Sequence, residues 1–203
     1  MPDTVANHVR HRGLTARDAA LIAVFAALLA VVSMPFAIPV GPVPITLQTL
    51  GVMLAPSLLG AKRGTLAVVT FLALVVAGLP LLPGGRAGLA AFAGATGGYM
   101  IGWVFGALVI GLLAQRMMPR YRFWLGFGAN VLGGIGVIYL FGIPWQAFWL
   151  DDALFATILG ATVYLPGDLA KAALAAAIAT AVFRAYPIPP AGRPVDQGDG
   201  DIG

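Results

Sequence analysis

The chain of 203 residues is 60% apolar and only 10% charged, with a formal net charge of +4. Soluble domains carry roughly 25% charged residues because their surface must meet water, so soluble α/β, all-β and disordered architectures are excluded and a helical integral membrane protein is expected. The chain has no cysteine and no glutamate, and both histidines, His8 and His11, fall in the polar leader. Disulfides, thiolate nucleophiles and most intramembrane metal or acid–base chemistry are therefore excluded too.

Residues 1–14 form a polar, basic leader, expected on the cytoplasmic side, and an apolar run follows from Ala19 to Ser33. A signal peptide begins the same way, but five further spans follow, and the run serves equally as a first membrane helix. The second block, Leu47 to Gly60, is short and contains Pro56. After Lys62 and Arg63 comes a third, Leu66 to Leu82. A fourth runs from Thr96 to Leu113 and a fifth from Phe123 to Phe141. Residues 145–163 are a mixed stretch interrupted by Asp151 and Asp152, and a last block runs from Leu165 to Phe183. The pattern predicts an all-α bundle of six transmembrane helices within a domain of residues 15–186, the second tilted or kinked at Pro56. Pro187–Gly203, rich in Pro, Gly and Asp, reads as a disordered cytoplasmic tail.

The basic residues orient this bundle. Arg10, Arg12 and Arg17 precede the first span, and Lys62 and Arg63 lie between the second and third. Arg116, Arg120 and Arg122 lie between the fourth and fifth, and Arg184 and Arg193 follow the last. By the positive-inside rule these share one side, which places both termini in the cytoplasm. Only Arg86 falls on the opposite side, and Lys171 lies within a span. The basic pI of 9.9 thus reflects insertion in a lipid bilayer, and no nucleic-acid partner is implied.

The connections on the outer side, Met34–Gln48, Gly78–Gly98 and Phe141–Asp152, are rich in Pro and Gly yet apolar. Irregular backbone survives at membrane depth only where it is buried in protein or lines a cavity. These segments are expected to fold back over the bundle as a lid; interfacial packing without a ligand is the alternative. Four polar residues stand out against them: Gln48, Arg86, and the helical neighbours Asp168 and Lys171, with Thr46 and Tyr164 close in sequence. Pro166 is well placed to start the last helix, which puts Asp168 in its first turn. An ionisable group within a span is a functional candidate by default. The plainer readings are a neutralising Asp168–Lys171 pair and an interfacial anchor at Arg86. Together the set suits a small, uncharged polar ring with an anionic tail, and it does not suit an ion channel.

Small residues supply the packing motifs. Gly94, Gly98, Gly102 and Gly106 recur every four residues, as do Ala19, Ala23 and Ala27 in the first span, and both stripes permit close helix approach. Intramolecular packing is one use of such a stripe; for the first span a docking face for a partner subunit is the sharper reading. Asn130, between Gly126 and Gly134, reads as an interhelical hydrogen bond rather than a ligand contact.

Four runs together resemble one family. They are Gly41-Pro-Val-Pro-Ile-Thr-Leu-Gln-Thr-Leu-Gly51, Ala77-Gly-Leu-Pro80 with Gly84-Gly-Arg-Ala-Gly88, Ala95-Thr-Gly-Gly-Tyr-Met-Ile-Gly102, and Leu165-Pro-Gly-Asp-Leu-Ala-Lys171. In order and spacing, across residues 15–185, they are similar to BioY-type biotin uptake proteins, the substrate-capture (S) components of energy-coupling factor (ECF) transporters. Ala95 departs from the Pro-Thr-Gly-Gly common in the family. The resemblance implies a six-helix S component of a bacterial inner membrane that holds biotin beneath its outer loops. A transmembrane coupling subunit and two cytoplasmic ATPases would drive delivery, with Ala19, Ala23 and Ala27 as the docking face. Asp168 and Lys171 would take the ureido ring, while Arg86 and backbone N–H groups around Gly84–Gly88, Gly85 included, would take the valerate carboxylate. The reverse assignment, with the carboxylate at Lys171, is the alternative. Tyr99, Tyr164 and Trp145 would flank the thioether ring, with Thr46 and Gln48 completing the set. Biotin is then substrate, and no cofactor or metal is expected.

An autonomous facilitator or secondary transporter is the competing function, against which stand the lack of inverted repeats and of a second intramembrane acid. An enzyme is not expected, because Ser33 and Ser57 have no base near them in sequence. Nor does the chain carry a Gly-x-x-x-x-Gly-Lys-Ser/Thr run to cradle ATP.

Overall fold

A computed structural model describes residues 14–34, 37–38, 43–118 and 120–186. The tail from Pro187 and the leader, Leu14 apart, lie outside the described residues. Helix α1, Ala16–Ser33, starts three residues before the apolar run, because Thr15 and Asp18 form a capping box that satisfies the first amides. A two-residue hairpin, β1 (Ala37–Ile38) with β2 (Ile45–Thr46), leads into α2, Gln48–Val76. Turns at Pro83–Gly85 and Leu89–Ala91 precede α3, Gly97–Met117. Then come α4 (Phe123–Val131), a π-helical turn (Leu132–Val137), α5 (Ile138–Leu150), α6 (Leu154–Ala161) and α7 (Leu165–Ala185).

Among the described residues, five helical runs are long and apolar enough to cross a membrane, where the hydropathy blocks predicted six. The difference lies in α2, which joins the second and third blocks. Gly60 leaves the helical region at φ 77° and ψ −174°, a conformation that costs glycine little. Beyond it, any side chain at Gly64 would strike the backbone of Pro56. Residues eight apart in a straight helix stand about 12 Å apart, so the chain folds back on itself at Gly60. Gln115 of α3 fills the space beside Gly60, and Gly111 lies against Ala61.

The reversal brings Arg63 into an ion pair with Asp18. That pair marks one end of the bundle. At the other end gather the hairpin, the turns between α2 and α3, and the starts of α2, α3 and α7. The largest apolar cluster lies between, with Val68, Phe71 and Val75 of α2 against Met100, Trp103 and Ala107 of α3, and Leu29 and Ile138 at its sides.

The expected loop over Phe141–Asp152 is instead helix. Pro144 has no N–H to offer the Leu140 carbonyl, yet α5 continues to Leu150 and stops at Asp151, which is left-handed at φ 54°. Proline is tolerated in membrane helices where neighbours re-satisfy the backbone. Three of the four stripe glycines explain the close neighbour: Gly98 meets Trp145 and Phe141, Gly102 meets Ile138, and Gly106 meets Gly133, whereas no described residue lies within 4 Å of a side chain built at Gly94. The glycine stripe is thus the seat of α5 on α3. On α1, by contrast, Ala19, Ala23 and Ala27 are exposed. Asn130 is fully buried and bridges three helices: its Nδ2 donates to the Ala172 carbonyl (3.2 Å) and its Oδ1 accepts from the Ser57 hydroxyl (3.0 Å).

Candidate substrate cavity

A cavity opens at the end of the bundle away from the Asp18–Arg63 pair. Its walls come from six places in the chain: Val43–Thr46 of the hairpin, Gln48 and Thr49 of α2, Leu82 and Arg86, Thr96 with Tyr99, Met100 and Trp103 at the start of α3, Ile138 and Tyr139 of α5, and Tyr164, Asp168 and Lys171 at the start of α7. Of the three apolar connections, two thus contribute to its walls, Met34–Gln48 and Gly78–Gly98.

The α7 pair is the polar centre. Pro166 stands in the first turn of α7, where its missing N–H costs nothing, and Asp168 and Lys171 share one face. Lys171 Nζ donates to Asp168 Oδ1 (2.9 Å) and to Thr49 Oγ1 (3.2 Å). Thr49 Oγ1 approaches the same carboxylate oxygen at 3.4 Å, and the Tyr139 hydroxyl donates to Oδ2 at 2.7 Å. Side-chain exposure is 8% for Asp168 and 11% for Lys171. At this burial neither charge would be tolerated alone, and the surrounding hydroxyls complete the satisfaction that a buried pair requires.

Toward the loops, Arg86 is exposed and donates to Thr96 Oγ1 at 3.3 Å. Thr46 Oγ1 donates to Gln48 Oε1 (3.1 Å), and the buried Gln48 Nε2 has no partner among the described residues. The indole N–H of Trp103, also buried and on the cavity wall, has no partner among them either. Two such donors carry a desolvation cost until a ligand or water accepts from them. Tyr99 donates to Gln146 Oε1 (2.8 Å), and its ring meets Tyr139 edge-on at 6.0 Å. The Tyr164 hydroxyl meets the Val43 backbone.

Of the expected residues, the cavity gathers Thr46, Gln48, Arg86, Tyr99, Tyr164, Asp168 and Lys171. Gly85 is not on its wall; its N–H donates to the Leu82 carbonyl (3.0 Å), and that of Gly88 to Val75 (2.7 Å). Trp145 also lies elsewhere. Its Nε1 donates to the Gly94 carbonyl (2.9 Å), and it stacks on Trp149 beside α3. Thr49, Trp103 and Tyr139 take part in the cavity without having been expected there. Thr49 was within reach of sequence reasoning, as the neighbour of Gln48; Trp103 and Tyr139 give no local signal among so many apolar and aromatic residues.

Fold and site together define a multi-pass membrane protein with a cavity of apolar and polar side chains at one end of its bundle. Comparison with known proteins narrows the class. The BioY family pattern matches residues 6–188. Over 185 residues the chain is 42% identical to the biotin transporter BioY of Rhizobium etli, covering 88% of this chain and 99% of that one. It is 40% identical over 156 residues to the biotin transporter BioY of Thermotoga maritima, covering 77% and 89%. A crystal structure of the S-component for biotin from an ECF-type ABC transporter superposes with a TM-score of 0.79 at 33% identity, covering 83% of this chain and 91% of that one. The chain belongs to the BioY family, whose named relatives here are transporters rather than enzymes.

Proposed function

We propose that this protein captures biotin at the outer face of a bacterial inner membrane and delivers it through an ATP-driven ECF complex. In this reading the chain crosses six times, the α2 reversal at Gly60 separating two crossings. Both termini, Arg63 and the Asp18–Arg63 pair then lie on the cytoplasmic side, and the cavity lies on the outer side. The observation that carries the reading is the buried Asp168–Lys171–Thr49–Tyr139 network beside two donors without acceptors among the described residues, Gln48 Nε2 and Trp103 Nε1, in one cavity.

Biotin matches that inventory. Its ureido ring offers an N–H donor to Asp168 and a carbonyl to Lys171, and its valerate carboxylate suits the Arg86 fork. Tyr99 and Tyr164 would border the thioether ring, with Thr46 and Gln48 on the hairpin side. Calorimetric titration of the detergent-purified chain with a panel of vitamins tests the assignment. We expect saturable, stoichiometric heat for biotin and none for riboflavin or thiamine; selective binding of another vitamin would overturn it.

A coupling subunit and two ATPases are proposed as partners, with the exposed Ala19–Ala23–Ala27 face of α1 as the contact. Close approach requires small side chains. Ala23→Trp is therefore expected to leave biotin binding unchanged while reducing uptake by cells at least tenfold. Normal uptake by that variant would remove α1 from the docking surface. Gradient-driven uptake into liposomes by the chain alone would favour an autonomous facilitator instead.

A further inference from the structure

The helical run from Phe123 to Leu150 changes its winding partway. Asn130 and Tyr139 lie nine residues apart in it, and at 100° per residue a regular α-helix would turn them about 180° from each other. Both nevertheless face α7: Asn130 donates to the Ala172 carbonyl and Tyr139 to Asp168, one turn earlier. The π-helical turn at Leu132–Val137 reconciles them. A π-turn accommodates one extra residue, which sets back everything beyond it by one step and leaves the two side chains about 80° apart. The segment Leu-Gly-Gly-Ile-Gly-Val suits such a turn, because Gly133 lies against Ile110 and Gly106, and Gly134 against Met53, where no side chain would fit.

The consequence falls on the cavity. The Tyr139 proton is committed to Asp168 Oδ2 at 2.7 Å, so its oxygen, on the cavity wall, has lone pairs but no proton to offer. Asp168 Oδ1 is already engaged by Lys171 and Thr49, whereas Oδ2 receives only Tyr139 among the contacts described. We infer that Tyr139, turned toward α7 by the π-turn, is a specificity-determining residue whose oxygen forms with Asp168 Oδ2 an acceptor pair for one N–H donor of a cyclic urea. The inference rests on the biotin reading above and adds to it the group that selects the nitrogen edge of the ligand.

Tyr139→Phe tests it in the full-length chain in detergent. The substitution removes one oxygen and keeps the ring against Tyr99. Titrations would use biotin and an analogue methylated on a ureido nitrogen. We expect the variant to bind biotin about tenfold more weakly and to discriminate less against the methylated analogue. In an Asp168→Asn background the same change should add less than twofold, since the two groups act as one unit. Unchanged biotin affinity in Tyr139→Phe, or losses that simply multiply in the double variant, would overturn the inference while leaving the biotin reading intact. Failure of the unmodified chain to bind biotin would overturn both.

Discussion

Lys171→Ala is expected to lower biotin affinity by about 100-fold or more, a loss of about 2.7 kcal/mol, while the protein still inserts into the membrane. Among the described residues Lys171 is the only cation bonded to Asp168, and both side chains are almost wholly buried. Removing it leaves the carboxylate on Thr49 and Tyr139 alone; breaking a buried pair in this way costs about 3–5 kcal/mol. The carboxylate then takes up a proton or draws in water, and either change spoils an acceptor for the ureido N–H. The substrate carbonyl loses its donor at the same time. Asp168→Asn should weaken binding for the complementary reason, leaving Lys171 charged without a counterion. Calorimetry on purified variants, with size-exclusion profiles as the folding control, decides the matter. Wild-type affinity in Lys171→Ala would remove the α7 pair from the binding site.

The second large effect concerns folding. Gly64→Val is expected to destabilise the protein by about 3 kcal/mol, read as a lower unfolding midpoint in detergent and a lower yield of monodisperse protein. The atoms a side chain would meet there include the Pro56 backbone, which cannot rotate away as a flexible side chain can. The clash pries open the reversal at Gly60, and with it the seat of Gly111 on Ala61 and the Asp18–Arg63 pair. Gly128 is the control: no described residue lies within 4 Å of a side chain built there, and Gly128→Ala should leave the midpoint within a degree or two. Equal stability of Gly64→Val and Gly128→Ala would show that α2 does not double back tightly.

Much of the candidate site is legible in the sequence. In a chain so poor in charge, each ionisable residue within an apolar span must be paired or functional, because the bilayer offers no water to solvate it. That argument singles out Asp168 and Lys171, and the outer-side position of Arg86 singles it out in turn. The cavity joins them to Gln48 across more than a hundred residues of sequence. Asn130 was legible for the same reason, and its two hydrogen bonds across helices follow. Trp145 was misplaced because an aromatic ring is at home equally in a binding site, a helix contact or a lipid face. Its position came from Gly97 and Gly98, which leave room for its indole on α3.

Hydropathy and charge, which are properties of residue types added along the chain, were enough to determine a helical membrane protein, most of its helix boundaries and most of the polar side chains that meet in the cavity. The reversal at Gly60, the passage of α5 through Pro144 and the π-turn before Tyr139 were decided only by tertiary structure. Each depends on what packs opposite: Pro56 against Gly64, Gln115 beside Gly60, α5 laid on the α3 glycines, and Met53 and Ile110 in the hollows of Gly134 and Gly133. A helix's rotation about its own axis changes no residue's hydrophobicity. Local sequence therefore cannot report it, although that rotation determines whether Tyr139 meets Asp168 or lipid.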